Sequence, residues 1–385
     1  MENLSANIAI IGGGIGGLTT AIALKQRGIT AHVYDAAREL RAVGAGIWMP
    51  SNAMQVFGRL QIAPSIEQAG APLNRIQLQD YQHGVLTITD LTPIANQFGF
   101  ATTAIHRGRL QAALVEQLES NQLQLNKRCV GIVQHDDYVS IAFADGTNAT
   151  AAIVIGADGL RSAVRQALFP EAQTRYSGQS SYRAIVPVKL DNQFANAGIE
   201  IWGRGCRFGF SSVSAAETYW YATFDAPAGR TVAPDAAKAM LIELARDFPA
   251  MVEALVEAVS AENLIRADIH DLVTLPTWHK GRVVLIGDAA HAATPNLGQG
   301  GAQSIEDAFV LASALADHAT HQAAFQHFEQ TRRAKAVTIV NQSWQLGKLA
   351  HLSNPIIRWL RDTTMKLTPS AVGKQQFAQL YALNF

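Results

Sequence analysis

The pattern of apolar and polar positions predicts a sheet of buried parallel strands. Apolar runs of strand length occur at 8–11, 152–156 and 282–286, and each is followed by a turn with glycine and then by a helical pattern. Uninterrupted apolar runs are typical of strands that are covered on both faces, as in the parallel sheets of α/β proteins. We therefore expect a Rossmann-like α/β core.

A second group of segments alternates between apolar and polar positions or is rich in aromatic residues. Such segments are typical of antiparallel strands. They predict a separate, mainly antiparallel sheet with strands at 76–81, 85–88, 184–188, 199–203, 207–210 and 219–224. Short strands are also predicted at 123–133 and 138–143, and helices at 51–60, 107–118, 235–259, 303–315 and, with breaks at Pro355 and Pro369, 323–380.

The first apolar run leads into a glycine-rich turn. Gly12, Gly14 and Gly17 occupy the positions of a GxGxxG motif, and the following strand ends in Asp35. The first glycine permits the tight turn, the second lets the backbone approach a pyrophosphate, and the third lets the helix pack on the strand. A carboxylate after the second strand can accept hydrogen bonds from ribose hydroxyls. The pattern predicts an adenine dinucleotide site.

The two later apolar runs also end in glycine and aspartate. Asp158-Gly159 follows the run at 152–156, and Asp288 follows the run at 282–286. Since ligands of open α/β sheets bind at the carboxyl ends of the strands, both carboxylates are expected at the same ligand. The glycine run 298–301 opens a helix, whose N-terminus can face a delocalised negative charge.

Two other positions are candidates for contact with a dinucleotide. Gly46 belongs to a pair of close glycines, Gly44 and Gly46, that suggests backbone against a flat ligand, although a plain loop explains the pair as well. Arg107 precedes a helix, where its guanidinium could clamp a pyrophosphate or could simply face solvent.

Composition narrows the function classes. The 385 residues carry zero formal net charge with no long basic run, so binding to nucleic acid or to an anionic membrane has no electrostatic basis. The uncharged stretch 4–24 is interrupted by glycines and is not predicted to span a membrane. Cys129 and Cys206 are far apart, which argues against a disulfide or a metal site and fits a cytoplasmic protein in which both are buried apolar residues.

The three turns, in this order and at this spread, resemble those of single-component flavoprotein monooxygenases of the para-hydroxybenzoate hydroxylase fold. The resemblance covers nearly the whole chain and implies a discontinuous FAD-binding domain at 1–72, 100–180 and 268–335. It also implies an inserted substrate domain at 73–99 and 181–267, and a C-terminal helical segment at 336–385. A homodimer is left open.

The resemblance assigns the candidate residues to parts of FAD. It implies that Gly12, Gly14, Gly17 and Asp35 bind the ADP half and that Arg107 binds the pyrophosphate. Asp158 and Gly159 belong to an element linked to both FAD and NAD(P)H, while Asp288 would hold the ribitol. Pro295 with Gly298, Gly300 and Gly301 would shape the flavin and oxygen site, and His291 is expected to have a structural role. Family members often have Glu at the place of Asp35 and Asn at that of Ala302.

The implied activity is hydroxylation of a small aromatic or N-heteroaromatic substrate with O2 and NAD(P)H through a flavin C4a-hydroperoxide. Within the family, the central region is similar to FAD-dependent urate hydroxylases. In those enzymes an Arg and a Tyr twelve residues later face the purine, and Arg207 and Tyr219 match this spacing. A non-oxygenating FAD reductase or oxidase, or a catalytically silent FAD-binding protein, remains as an alternative.

Overall fold

The computed structural model describes residues 8–40 and 45–385, and it contains the two kinds of sheet that the sequence patterns predict. The strands are β1 Ile8–Ile11, β2 Ala31–Tyr34, β3 Gly46–Met49, β4 Gly70–Leu73, β5 Arg75–Asp80, β6 Gly84–Asp90, β7 Thr102–His106, β8 Leu123–Gln124, β9 Cys129–Gln134, β10 Val139–Phe143, β11 Asn148–Ala151, β12 Ile153–Gly156, β13 Thr174–Val186, β14 Ala197–Trp202, β15 Cys206–Ser212, β16 Thr218–Asp225, β17 Ile265–Leu272, β18 His279–Lys280 and β19 Val283–Leu285.

The helices alternate with these strands in the first half of the chain and dominate its last quarter. They are α1 Ile15–Lys25, α2 Ser51–Arg59, α3 Ala63–Ala69, α4 Thr92–Phe98, α5 Arg107–Val115, α6 Ala163–Leu168, α7 Pro234–Ala245, α8 Ala250–Glu257, α9 Asp288–His291, α10 Gly300–Asp317, α11 His321–Ala350, α12 Pro355–Leu367 and α13 Ser370–Tyr381. Short 3-10 turns lie at Asn192–Phe194, Ala261–Asn263 and Pro295–Leu297.

The six-stranded sheet has the order β18-β19-β12-β1-β2-β8, and its central strands are parallel. Ile8, Ile10 and Ile155 have no solvent exposure, as expected for strands covered on both faces. Because β12, β1 and β19 run parallel, the three turns that follow them meet at one edge of the sheet. The predicted α/β core is confirmed.

The seven-stranded sheet has the order β17-β13-β16-β15-β14-β5-β6 and is antiparallel except for the pair β14–β5. One of its faces carries Phe208, Phe210 and Trp220, which are buried in one apolar cluster with residues of α7 and α8. The opposite face carries polar and aromatic side chains and lies toward the parallel-sheet domain. Strand alternation thus assigns one face to a hydrophobic core and leaves the other for a ligand.

One local prediction is wrong, and the plain loop left open for the segment at Gly46 is not observed. The single helix predicted at 235–259 is two helices, α7 and α8, because Pro249 cannot continue the first of them and instead precedes the second. The segment that begins at Gly46 is a strand, β3, which pairs with β7. Gly44, the partner of Gly46 in the predicted close pair, lies outside the described residues.

The long strands β13 and β17 run without interruption through the domain boundaries expected at 180/181 and 267/268. The last helices begin where the prolines predict, α12 at Pro355 and α13 directly after Pro369. Cys129 and Cys206 are both free and buried, as expected. In the described part of the chain, no helix is long and apolar enough to cross a membrane, and no group of His, Cys, Asp or Glu could hold a metal ion.

Candidate flavin and substrate site

Steric contacts explain two glycines of the first turn. A Cβ on Gly12 would lie 2.3 Å from the Ala157 carbonyl oxygen, and a Cβ on Gly17 would lie 1.9 Å from the Gly12 carbonyl oxygen. Gly12 also has a φ of +111°, which favours glycine. The turn after β1 is therefore packed directly against the turn after β12, so only glycine fits at these two positions.

Gly14 differs from its neighbours because a Cβ there would meet no protein atom within 4 Å. It precedes α1, which has no side-chain cap and no acidic residue in its first turn. The helix N-terminus thus presents backbone N–H groups and a partial positive charge to open space. Asp35 accepts a hydrogen bond from the Gly13 N–H at 2.6 Å, which brings its carboxylate beside the same turn. This cradle is suited to a nucleotide pyrophosphate with its ribose near Asp35.

Asp158 holds the second turn together. Its carboxylate accepts hydrogen bonds from the Ser162 hydroxyl at 2.5 Å and from the Ala163 N–H at 2.7 Å, at the start of α6. Burial raises the pKa of Asp158, against the opposing effect of these bonds. Gly159 has a φ of +77° and open space beside it. Arg165 of α6 donates to the Ala289 carbonyl at 3.2 Å and so ties this turn to the third one.

The third turn is fixed by a buried acid. Asp307 of α10 accepts from the Gly287 N–H at 2.9 Å, from His291 Nε2 at 2.6 Å and from Arg332 Nε at 2.9 Å. Burial alone would raise the pKa of Asp307, but the His291 and Arg332 charges and the bonds from His291 and Gly287 outweigh it and hold the pKa at about 2. His291 is 7% exposed and packs on Trp278. These contacts support a structural role for His291.

Asp288 itself points away from that network into the cleft between the domains. Its carboxyl is accessible from the cleft, although protein surrounds it on the other sides, and the resulting desolvation raises its pKa. A Cβ on Gly300 would lie 3.8 Å from Asp288 Oδ1, so the turn and the start of α10 adjoin. Asp288 and the free N–H groups of α10 can therefore reach a single ligand.

The loop between α9 and α10 carries the other predicted residues. Pro295 is exposed and begins a 3-10 turn that ends at Leu297. The next residue, Gly298, has a φ of +63° and open space beside it. A Cβ on Gly301 would come within 3.3 Å of Ile47, so α10 starts close against β3. We call residues 294–301 the glycine loop. The loop exposes backbone, and no bulky side chain of its own stands between it and the cleft at Gly298.

Arg107 and Gly46 lie on the far side of this cleft. Arg107 is exposed at the first position of α5. Burial raises the pKa of both Asp288 and Tyr219, and the Arg107 charge opposes this rise in both, which places it near both. A Cβ on Gly46 would lie 2.3 Å from the ring of Tyr219. Packing against Tyr219 thus accounts for Gly46, whatever else it contacts.

Arg207 and Tyr219 share the polar face of the seven-stranded sheet, which we call the substrate face. Arg207 is paired across β15 and β16 with Thr223, and Tyr219 is paired with Ser211. The two side chains therefore stand four residues apart along the strands, roughly 13 Å. They border one cleft but cannot contact each other.

Arg207 is 2% exposed, and each of its three guanidinium nitrogens already donates a hydrogen bond. It donates to Thr223 Oγ1 at 2.8 Å, to Glu200 Oε1 at 3.2 Å and to the Asn296 side-chain oxygen. Glu200 neutralises its charge, and the bond to Asn296 joins the substrate face to the glycine loop. Arg207 therefore orients the loop in this geometry, and it is not an unpaired cation in the cleft.

The middle of the substrate face is aromatic. Tyr221 donates its hydroxyl to Glu200 Oε2, and its ring lies 5.9 Å from that of Tyr219. Burial and the Glu200 carboxylate together raise the pKa of Tyr221 well above its usual range. Trp48 of β3 donates to Ser211 at 2.9 Å and closes one side of the cleft. In the described chain the Tyr219 hydroxyl has no protein hydrogen-bond partner, so it is available to a ligand.

Sequence reasoning missed Glu200 and Asn296, and it grouped Tyr221 with the aromatic residues of the strand at 219–224 without giving it a partner. Strand alternation gives a more specific signal for Tyr221, because it is two residues from Tyr219 and so lies on the same face. Glu200 could not be found in this way, since it reaches the site through the β14–β15 pairing. Arg183, on the same face beside Tyr221, was also missed; within the described residues it has no carboxylate partner.

Comparison with known proteins bears on what this cleft holds. The family model described as an FAD binding domain matches residues 5–343. An aurachin C monooxygenase/isomerase of Stigmatella aurantiaca is 36% identical, with 94% of each chain covered. The chain belongs to the FAD-dependent aromatic hydroxylase family. The resemblance predicted from the three turns is therefore confirmed.

Two further relatives of this chain have heteroaromatic compounds in their names. A 2-heptyl-3-hydroxy-4(1H)-quinolone synthase of Pseudomonas aeruginosa is 35% identical, with 97% of both chains covered. An FAD-dependent urate hydroxylase of Klebsiella pneumoniae is 32% identical, with 89% of this chain and 90% of the relative covered, which confirms the expected similarity to that group. The solved structure of Klebsiella pneumoniae HpxO complexed with FAD and uric acid has 28% identity and a TM-score of 0.91, covering 99% of this chain and 98% of that one.

The geometry of this cleft fits FAD. The open space at Gly14, beside an uncapped helix N-terminus and Asp35, suits the ADP half. Asp288 and the N-terminus of α10 are placed for the ribitol and for the negative charge of a reduced flavin ring.

Proposed function

We propose that this hydroxylase consumes NAD(P)H and O2 to hydroxylate a neutral N-heteroaromatic ring bound between the substrate face and the glycine loop. One observation carries the proposal above the others. Tyr219, Tyr221 and Trp48 line the same cleft, while Arg207 at its end already has its charge paired by Glu200. Aromatic walls suit a planar ring, and a neutral ring does not compete with Glu200 for the Arg207 charge.

The polar groups of the substrate face that are not bonded to other described residues are suited to a ring that carries both a carbonyl and an N–H group. The Tyr219 hydroxyl can donate or accept, and Arg183 on the same face can donate to a carbonyl oxygen. The names of the quinolone synthase and the urate hydroxylase support a ring of this type. We therefore favour 4(1H)-quinolone-like rings over simple phenols.

When bound, FAD would provide the redox chemistry, which is the oxidation of NAD(P)H and the activation of O2. The protein would position the substrate and provide the electrostatic environment. The α10 N-terminus would stabilise negative charge on the reduced ring, and Asp288 would anchor the ribitol. Asn296, held by Arg207 and by the Ser343 carbonyl at 2.8 Å, would keep the glycine loop close to the substrate. Trp48 and the tyrosines would exclude water from the reacting atoms.

The test is oxygen and NAD(P)H consumption by the FAD-loaded protein against a panel of 4(1H)-quinolones, hydroxypyridines, urate and phenols, with hydrogen peroxide measured separately. We expect a quinolone or a related lactam ring to stimulate consumption and to yield an oxygenated product with little peroxide. Consumption that yields only peroxide would instead identify an oxidase or reductase. Bound FAD with no turnover on any compound would favour a silent FAD-binding protein.

A further inference from the structure

The helix α12 is amphipathic, but its charged side chains face the protein and its large apolar side chains face solvent, which is the reverse of most surface helices. Its side chains at 358, 361 and 362 are charged and are each at most 8% exposed. The side chains that face solvent are large and apolar: Ile356 at 74%, Ile357 at 49%, Trp359 at 66%, Leu360 at 59% and Leu367 at 77% exposure. We call these five side chains the α12 apolar face. Positions 356, 360 and 367 fall on one side of the helix, so the face is continuous.

Polar contacts on the inner side hold this helix to the protein. Arg358 donates to Asp80 Oδ2 at 2.8 Å and lies over the ring of Tyr81. Arg361 bonds Asp362 at 2.7 Å and lies 4.7 Å above the ring of Trp202. Of the apolar side chains of the helix, Met365 packs against the cluster of Leu86 and Trp202. The five side chains of the α12 apolar face are not buried by these contacts, which leaves them free to bury against something else.

The charges around this face favour a lipid surface. From 343 to 385 the chain has five basic residues and one acidic residue, a net charge of +4 in a protein with a formal net charge of zero. The single acid, Asp362, is buried and paired with Arg361. The exposed charges of this segment are Lys348 and Lys366, and Lys374 is half-buried. Apolar side chains with a tryptophan, flanked by lysines, are typical of helices that lie in the interface of an anionic bilayer.

The size of the face argues against a second copy of the chain as its occupant. One helix of 13 residues offers a few hundred Å² of apolar surface, whereas a stable interface needs about 800 Å² from each partner. A bilayer needs only a single exposed helix face. We propose that the α12 apolar face binds the surface of an anionic phospholipid bilayer.

The position of α12 connects a bound bilayer to the substrate face. Trp202, which Arg361 covers, donates its indole N–H to Glu200 at 2.6 Å, and Glu200 in turn holds Arg207 and Tyr221 of the substrate face. A bilayer on α12 would therefore lie close to the substrate face, at the β6 edge of the same sheet. An apolar substrate dissolved in lipid would then meet the enzyme at the membrane. The binding itself does not depend on the proposed reaction.

The test is flotation of the FAD-loaded full chain with vesicles of phosphatidylethanolamine and phosphatidylglycerol. We expect the wild type to float with them, and the variant I356Q/W359Q/L360Q to bind at least about tenfold more weakly. Its FAD content and circular dichroism should not change, because all three side chains face solvent. The matched control is V130Q/V133Q, which alters two side chains of β9 that are 58% and 60% exposed on another sheet; it should bind like the wild type.

Two further measurements separate lipid from other occupants. The variant K366Q should weaken binding to the phosphatidylglycerol vesicles, and high salt should do the same. Sedimentation of the protein without lipid should give the same oligomeric state for the wild type and the triple variant. Failure of the wild type to float, equal flotation of the triple variant, or a dimer that the triple variant dissociates would each overturn the proposal.

Discussion

The two ends of the site are built from different parts of the polypeptide. At the dinucleotide end, backbone atoms define the shape, because the turns at Gly12, Gly17 and Gly287 pack so closely that side chains are excluded. At the substrate face, side chains define the shape through the bonds among Glu200, Arg207 and Tyr221. The first end tolerates almost no change of residue, whereas the second can be altered one hydrogen bond at a time. Such a division lets one cofactor frame serve several substrates.

The largest expected effect is at the dinucleotide end. In the variant G17A the new Cβ would lie 1.9 Å from the Gly12 carbonyl oxygen, a backbone atom that cannot move aside. We expect a loss of several kcal/mol in the free energy of unfolding and no retained FAD. Flavin absorbance after purification and urea unfolding measure both.

The matched variants are G14A at the same end and G131A on β9 of a separate three-stranded sheet. Neither new Cβ meets a protein atom within 4 Å, so neither should destabilise the fold. G14A, however, fills the space assigned to the pyrophosphate and should weaken FAD binding at least about tenfold. If G14A bound FAD as tightly as G131A, the phosphate position assigned here would be wrong.

A smaller effect is expected from E200Q on the substrate face. This change leaves the Arg207 guanidinium, 2% exposed, without its carboxylate partner, and should cost about 2–4 kcal/mol in the free energy of unfolding. The double variant E200Q/R207M should recover part of this loss, because it removes the unpaired charge. Additive losses in this cycle would show that the two residues do not act as a pair.

The contrast between the two ends explains what could be predicted from the sequence. An apolar run directly precedes each of the turns that carry Gly12, Asp158 and Asp288. The local sequence pattern was therefore enough to predict that these residues lie at one edge of the sheet. Glu200 and Asn296 reach Arg207 only through strand pairing and loop docking over long sequence separations, which no local pattern encodes. The parallel α/β core and the convergence of its three turns were therefore predicted, while the partners of Arg207 were not.

The net charge of the chain shows the same limit of prediction from sequence. A formal net charge of zero for the whole chain argued against any contact with anionic lipid. The net charge of a whole chain does not show how charges are arranged on one helix. In α12, Arg358 and Arg361 face the protein, while Ile356 and Trp359 face solvent. Which side of a helix faces solvent depends on tertiary packing, so the apolar face was visible only in the structure.

The variant Y219F tests the substrate face with a smaller change. The Tyr219 hydroxyl has no partner among the described residues of the protein, so its removal should leave the free energy of unfolding within about 0.5 kcal/mol of the wild type. If the hydroxyl bonds the substrate, kcat/KM should fall about tenfold. The control Y138F, at a side chain 43% exposed, should change neither quantity. A stability loss in Y219F without a kinetic effect would assign Tyr219 to packing alone.

The smallest expected effect concerns the protonation of His351, beside Arg207. His351 lies between Thr223 Oγ1 at 3.0 Å and Asp225 Oδ1 at 2.9 Å, and it is 7% exposed. Burial, helped by the Arg207 charge, lowers its pKa below the usual 6.5, although the bond to Asp225 opposes the shift. The unfolded chain therefore binds a proton at this residue more readily than the folded one. The stability it contributes is fully present above about pH 6.5 and is lost as the pH falls from there toward the folded pKa.

Substitution of this histidine should therefore change how stability depends on pH near the substrate face, and leave the dinucleotide end as it is. We expect the free energy of unfolding of the FAD-loaded wild type to fall between about pH 6.5 and pH 5, and H351Q to fall less steeply. His106 and His279 also have pKa values lowered chiefly by burial and keep their share of the slope in both proteins, so the difference between the two curves isolates His351. Parallel curves would mean that His351 titrates alike in the folded and unfolded chains. The bonds to Thr223 and Asp225 would then not hold the neutral ring in place beside Arg207.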